Sequence, residues 1–169
     1  MRDAPSFDEF YRSTSRRMVR YGYAVVGDHN EVQDLVQEAY ARAWRHWGTL
    51  ADHPAPEAWL RVVMARLAAD RWRRLRGWRG VLSRTGPPDA VSPPGEDSVV
   101  LVAALRQLPI NQRQALALHY LYDMPVEDIA GEMRVPAGTV KSWLSRGRTR
   151  LVALLPGVAE PELEVNDVA

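Results

Sequence analysis

The 169-residue chain contains no cysteine. That excludes disulfides, thiolate zinc sites and cysteine nucleophiles. Its four histidines are scattered, with no pair at metal-ligand spacing. No apolar run reaches the roughly 18 residues of a membrane span, so no membrane insertion is expected. The N-terminus, MRDAPSFDEFYR, lacks a basic segment followed by an apolar one, so no secretory signal is expected. The expected compartment is the cytoplasm. No cluster of side chains suited to catalysis stands out, so neither an enzyme nor a bound cofactor or metal is expected. Lysine is almost missing: Lys141 is the only one among 22 basic residues. Such a bias fits a GC-rich genome and equally fits phosphate binding.

The net charge of +1 conceals an uneven distribution. Residues 1–76 hold 13 Arg against 10 acidic residues, net +3. Residues 108–155 hold 6 basic and 4 acidic, net +2. The stretch 156–169 holds Glu160, Glu162, Glu164 and Asp167 with no basic residue, net −4. Two mildly basic parts are thus followed by an acidic tail.

Helical periodicity dominates, and strand-like alternation is not sustained. The expected fold is all-α, with two small helical domains joined by a flexible linker. Ser6 and Glu9 have capping-box spacing at the start of a first helix. Asp28 or Asn30 can cap a second. There Val32, Leu35, Val36, Ala39, Tyr40, Ala43, Trp44 and Trp47 step by three and four along one face. Asp34, Gln37, Glu38, Arg42 and Arg45 occupy the other face. Gly48–Pro56 reads as a loop. A third helix, from Glu57 to Arg76, turns Leu60, Val63, Met64, Leu67 and Trp72 inward. It ends on Arg71, Arg73, Arg74 and Arg76, more cations than the helix dipole calls for. Residues 77–97, with two Pro-Pro pairs and four Gly, read as an irregular linker. The domains are therefore expected at 5–76 and 98–154, with a disordered acidic tail over 155–169.

The second domain has the layout of a helix-turn-helix. Helices over 97–107 and 111–122 are expected to join Leu101, Leu105, Leu108, Leu116, Leu118 and Leu121 in a core. Pro125 opens a short helix with Glu127 and Asp128 in its first turn. Arg134-Val135 forms the turn, and Pro136 opens the last helix. Val140, Leu144, Gly147 and Leu151 make its buried stripe. Thr139, Lys141, Ser142, Ser145 and Arg146 are left outside, where they can reach phosphates and base edges. The alternative for the same residues is a solvated cationic face.

The run Pro125-x-x-Asp128-Ile129-Ala130, with Val135-x-x-Gly138-Thr139-Val140-Lys141-Ser142 and Arg146-Gly147-Arg148, resembles region 4 of bacterial RNA polymerase sigma factors. Independently, Asp34-Leu35-Val36-Gln37-Glu38-Ala39-Tyr40-x-Arg42-Ala43-Trp44 resembles region 2.2. Ala58-Trp59-Leu60 through Asp70-Arg71-Trp72-Arg73-Arg74 is similar to regions 2.3 and 2.4. The order, with no region 1 or region 3 domain, resembles the extracytoplasmic-function (ECF) group, in an actinobacterial, sigma-E-like style.

The resemblance implies a sigma factor that binds core RNA polymerase and directs promoter recognition and initiation. Asp34, Gln37, Glu38 and Arg42 would dock on the β′ clamp. Trp59, Arg61, Arg66, Arg71, Arg73 and Arg74 would serve the −10 element, the two tryptophans of this helix having core packing as the alternative. Thr139, Lys141, Ser142, Ser145 and Arg146 would read the −35 element. Apolar parts of helices 111–122 and 136–154 would meet the β flap, and an anti-sigma protein is a further implied partner. Arg66 and Trp143 depart from the family's common Asn and Arg. The competing readings are a stand-alone helix-turn-helix regulator and a helical protein-interaction module.

Overall fold

A computed structural model describes residues 3–76, 95–155 and 157. Of the expected irregular linker over 77–97, residues 77–94 lie outside the described residues, and its last two, Glu96 and Asp97, belong instead to the first turn of a helix. Of the expected disordered tail over 155–169, residues 156 and 158–169 lie outside the described residues. Among those described there are helices and no strand. They are α1 (Ala4–Val25), α2 (His29–Arg45), α3 (Trp47–Leu50), α4 (Pro56–Arg76), α5 (Glu96–Leu105), α6 (Ile110–Leu121), α7 (Val126–Met133) and α8 (Ala137–Leu154).

Helix α1 starts earlier than Ser6 and Glu9 led one to expect. Asp3 is its N-cap and Pro5 sits in the first turn, where its fixed φ and missing N–H do no harm. Ser6 instead donates to the Asp3 carbonyl at 3.0 Å and accepts from Trp47 Nε1 at 2.8 Å. Between α1 and α2 the chain turns at Gly27, with φ +75°. That backbone angle favours glycine, and a Cβ there would also stand 2.5 Å from Arg106 Cγ, so a side chain would be strained and would push Arg106 aside. Asp28 caps α2 as expected, accepting the Glu31 N–H at 3.1 Å. The expected loop 48–56 is partly helical. Trp47 and Leu50 are buried, and that burial draws residues 47–50 into the short α3.

The first core lies between α1, α2 and α4. Met18, Tyr21, Val25, Val32, Leu35, Leu60 and Met64 are fully buried there. Tyr40 shares a 2.6 Å hydrogen bond with Thr14. Burial pushes the Tyr40 phenol up to about 12, so it stays neutral in the core. Arg17 clamps Glu57 through two hydrogen bonds of 2.9 and 2.8 Å, tying α1 to α4.

The second core gathers Leu105, Leu108, Leu116, Leu118, Ile129, Val140 and Leu144. Leu101 and Leu121 were expected in it but are 41% and 44% exposed. They face a groove open toward α1 instead of each other. The helix-turn-helix turn is set by Arg134, left-handed at φ 56°. Gly147 lies in the middle of α8 because α6 crosses it closely. A Cβ at 147 would stand 2.8 Å from Leu116 Cδ1.

The two units do not hang apart: α5 and α6 pack on α1, and α7 packs on α4. Arg113 of α6, itself buried, donates to the Val25 carbonyl at 2.5 Å. The Tyr21 and Tyr122 rings meet edge-on at 6.2 Å.

Candidate nucleic-acid interface

Three surfaces carry the expected site residues. The polar face of α2 exposes Asp34, Gln37 and Arg42, with Glu38 half-buried. Arg42 donates to Glu38 at 2.8 Å, one turn apart. That hydrogen bond, more than the charges of Arg42 and Arg45, holds the Glu38 carboxyl below its usual range. Beside it lies a shallow depression of about 580 Å³, lined by Asp34, Gln37, Glu38, Arg42, Arg71 and Arg74. The expected docking face and two of the expected −10 arginines therefore share one surface.

The −10 set as a whole does not. On α4 its members divide by helix face. Arg71 and Arg74 line the α2 depression, and Arg71 donates to the Glu31 carbonyl at 3.1 Å. Arg73 is exposed and paired with Asp70. Trp59, Arg61 and Arg66 line a different cleft, about 750 Å³, between the two units. Trp59 and Trp143 are half-buried: each packs against the core and also lines this cleft.

Arg61 is only 6% exposed. It binds Glu132 of α7 through two parallel hydrogen bonds, both 2.9 Å. Its guanidinium also sits 4.4 Å over the Tyr122 ring centroid. Burial opposes the Arg61 charge, but the hydrogen bonds and charge of Glu132 outweigh it and raise the pKa. In this arrangement Arg61 is unavailable to a nucleic-acid strand. A second buried cation, Arg113, is pushed down by its burial and then by Arg106. Glu132, Tyr122 and Arg113 join the units, and sequence reasoning missed them. Pairing between residues some 70 apart leaves no periodic trace in a single chain.

The third surface is α8. Lys141, Ser145 and Arg146 are exposed, and Thr139 and Ser142 are half-buried beside them. Lys141 and Ser145 lie one turn apart on one ridge, Ser142 and Arg146 on the next. Among the described residues no carboxylate lies within ion-pair distance of Lys141 or Arg146. The outward face is therefore cationic and hydroxyl-bearing, suited to phosphates and base edges. Among the described residues no group of His, Asp and Glu could hold a metal ion, and no helix is long and apolar enough to cross a membrane.

Residues 10–79 match the family described as sigma-70 region 2, and residues 98–151 match sigma-70, region 4. The chain is 31% identical to the RNA polymerase sigma-E factor of Streptomyces coelicolor, over 89% of this chain and 86% of that one. It is 32% identical to the sigma-E factor of Streptomyces antibioticus, over 96% and 87%. It is 31% identical to the ECF RNA polymerase sigma factor SigL of Mycobacterium tuberculosis, over 74% and 75%. The fold is shared with two solved structures. One is the sigma factor RpoE of Bartonella quintana in complex with the anti-sigma factor NepR (TM-score 0.70, 23% identity, 89% of this chain and 99% of that one). The other is CnrH in complex with the cytosolic domain of CnrY (TM-score 0.61, 18% identity, 93% and 92%). With both regions matched in order along one all-helical chain, and with relatives above 30% identity across most of their length, the protein belongs to the extracytoplasmic-function RNA polymerase sigma factors of the sigma-70 family.

Proposed function

We propose that the chain seats on core RNA polymerase in the cytoplasm and brings it to promoters, contributing no catalytic step of its own. The α2 face with Asp34, Gln37, Glu38 and Arg42 docks on the β′ clamp. Trp59, Arg66, Arg71, Arg73 and Arg74 serve the opened −10 strand, which needs stacking surfaces and a cationic groove. Thr139, Lys141, Ser142, Ser145 and Arg146 of α8 read the −35 element. Apolar parts of α6 and α8 meet the β flap.

The arrangement described here is a resting form under this reading. Arg61 joins the −10 set only when α7 moves away and releases it from Glu132. A partner of the kind named for the Bartonella quintana structure, an anti-sigma protein, is the proposed means of holding that form. A stand-alone regulator is not favoured, because residues 10–79 match sigma-70 region 2 and carry a polar face on α2.

The observation that carries the proposal is the cationic face of α8, where Lys141 and Arg146 have no carboxylate within ion-pair distance among the described residues, in the same chain as the α2 face. Gel shift and run-off transcription, with and without core enzyme, test it. Promoter binding and start-site production require core. Lys141→Ala weakens promoter binding across sequences and reduces the salt slope by about 1. A paired Asp34→Ala, Glu38→Ala variant loses core binding while its free-chain fold is unchanged. Tight operator binding without core would overturn the proposal.

A further inference from the structure

A groove of about 910 Å³ runs between the two units. Its apolar lining includes Tyr11 and Val19 of α1, Leu101 of α5, and Tyr120 and Leu121 of α6. Tyr11, Leu101, Tyr120 and Leu121 are each more than two-fifths exposed. A contiguous apolar surface of this kind marks a place where something else docks. Arg16 and Arg20, both exposed, stand along its α1 wall. Among the described residues neither has a carboxylate within ion-pair distance.

The chain itself supplies a segment of matching chemistry. Leu151 of α8 lines the groove, and Arg148 donates to the Tyr120 hydroxyl at 3.4 Å. Helix α8 ends at Leu154, and Leu155 is extended, so the tail leaves at the groove's edge. Residues 158–169 carry Glu160, Glu162, Glu164 and Asp167, no cation, and Val158, Leu163, Val165 and Val168. Over Glu162-Leu163-Glu164-Val165 the alternation is strict. An extended backbone there puts both apolar side chains on one side and both carboxylates on the other. The α1 wall from Tyr11 to Ala24 is about 20 Å long at 1.5 Å per residue. Ten extended residues beyond Leu155 reach about 33 Å. A tethered segment also acts at an effective concentration on the order of millimolar.

We propose that residues 158–169 lie in this groove, with Leu163 and Val165 against its apolar floor and Glu162 and Glu164 toward Arg16 and Arg20. The tail spans both units and braces them together. The cationic ridge of α8 would also attract the tail's carboxylates, but it offers nothing to Leu163 and Val165. The groove also exposes the α6 and α8 surfaces assigned above to the β flap. Competition between tail and flap rests on that assignment; occupancy of the groove does not.

Nitrogen-labelled full-length chain and a chain ending at Gly157 are compared by two-dimensional amide spectra, followed by titration of a synthetic 158–169 peptide into the shorter chain. The expected result is that shift differences between the two chains concentrate on residues 11–24 and 116–121. The peptide restores them with a Kd below about 1 mM. Arg16→Glu with Arg20→Glu, both on the surface, weakens peptide binding at least tenfold, and so does added salt. Differences confined to 139–146, and abolished by Lys141→Ala with Arg146→Ala, would place the tail on the recognition helix and overturn the proposal. Identical spectra would overturn it, as would groove shifts that depend on protein concentration and track a dimer by sedimentation. Core-dependent transcription is scored separately, so failure of the groove and failure of the promoter reading are distinguishable.

Discussion

Seven of the ten largest fully buried side chains belong to α1, α2 and α4; the other three, Leu118, Ile129 and Val140, belong to the second unit. The first unit closes on itself, with aromatic rings of Phe7, Phe10, Tyr40 and Trp47 stacked edge-on around its lower end. The second unit buries Gln112, Arg113 and Gln114 on α6 while leaving Val99, Val100, Leu101 and Leu121 exposed. Its polar residues are hidden by the neighbour, and part of its apolar surface waits for one. The difference shows a platform with the larger core carrying a smaller reader with more open apolar surface, each burying side chains of the other, as Arg61 is buried against Glu132 and Tyr122.

Breaking the platform should cost most. Met64→Ala removes a fully buried side chain where α4 meets α1 and α2. A loss of about 2–5 kcal/mol is expected, read as a lower denaturant midpoint. A matching loss from Leu101→Ala, an exposed position, would contradict the comparison. The junction comes next. Glu132→Ala strips buried Arg61 of its partner, and an unpaired buried charge costs about 3 kcal/mol. The chain escapes that cost by parting the units, so small-angle scattering should show a larger radius of gyration. An unchanged profile would mean that Arg113 and the Tyr21–Tyr122 contact hold the units by themselves. Within the reader, Gly147→Val forces a branched side chain against Leu116 and should cost about 1–3 kcal/mol. The loss should fall on amide protection of α6 and α8 and spare α2.

The smallest effect concerns Glu31, whose carboxyl is raised first by burial and then by Asp28. Its charged form is thus disfavoured in the fold. The favourable contribution is present below the unfolded pKa and is lost as pH rises through the folded one. Glu31→Gln should therefore raise Tm slightly at pH 7, and the gain should vanish near pH 4. A variant that is less stable at pH 7 would show that the neighbouring arginines outweigh burial.

The helices were legible because period and punctuation agreed. Asp28 announced α2, and Pro125 and Pro136 marked the starts of α7 and α8. The stripe from Val32 to Trp47 is buried but for the half-exposed Trp44. Ser6 misled because a capping-box pattern cannot outrank a proline placed one residue earlier. Leu101 and Leu121 misled because periodicity tells which residues share a face, not what that face meets. On α8 Lys141, Ser145 and Arg146 are exposed, as their spacing led one to expect, while Thr139 and Ser142 are half-buried. The −10 set came from the resemblance of residues 58–74 to regions 2.3 and 2.4, yet Arg61, Arg71 and Arg73 of α4 point to different neighbours. What one strand of letters could not convey was that Arg61 and Glu132, on separate helices, belong to each other.

Gly27 links a local turn to the junction between the units. It belongs to the turn before α2, but the atoms crowding it are Arg106 and Val102, across the junction. A methyl group there is resisted twice: by its own backbone angle and by the opposite unit. The first penalty is fixed by the backbone, whereas the second eases where the exposed Arg106 side chain turns aside. One glycine thus ties the geometry of the first turn to the seating of a helix some eighty residues further along the chain.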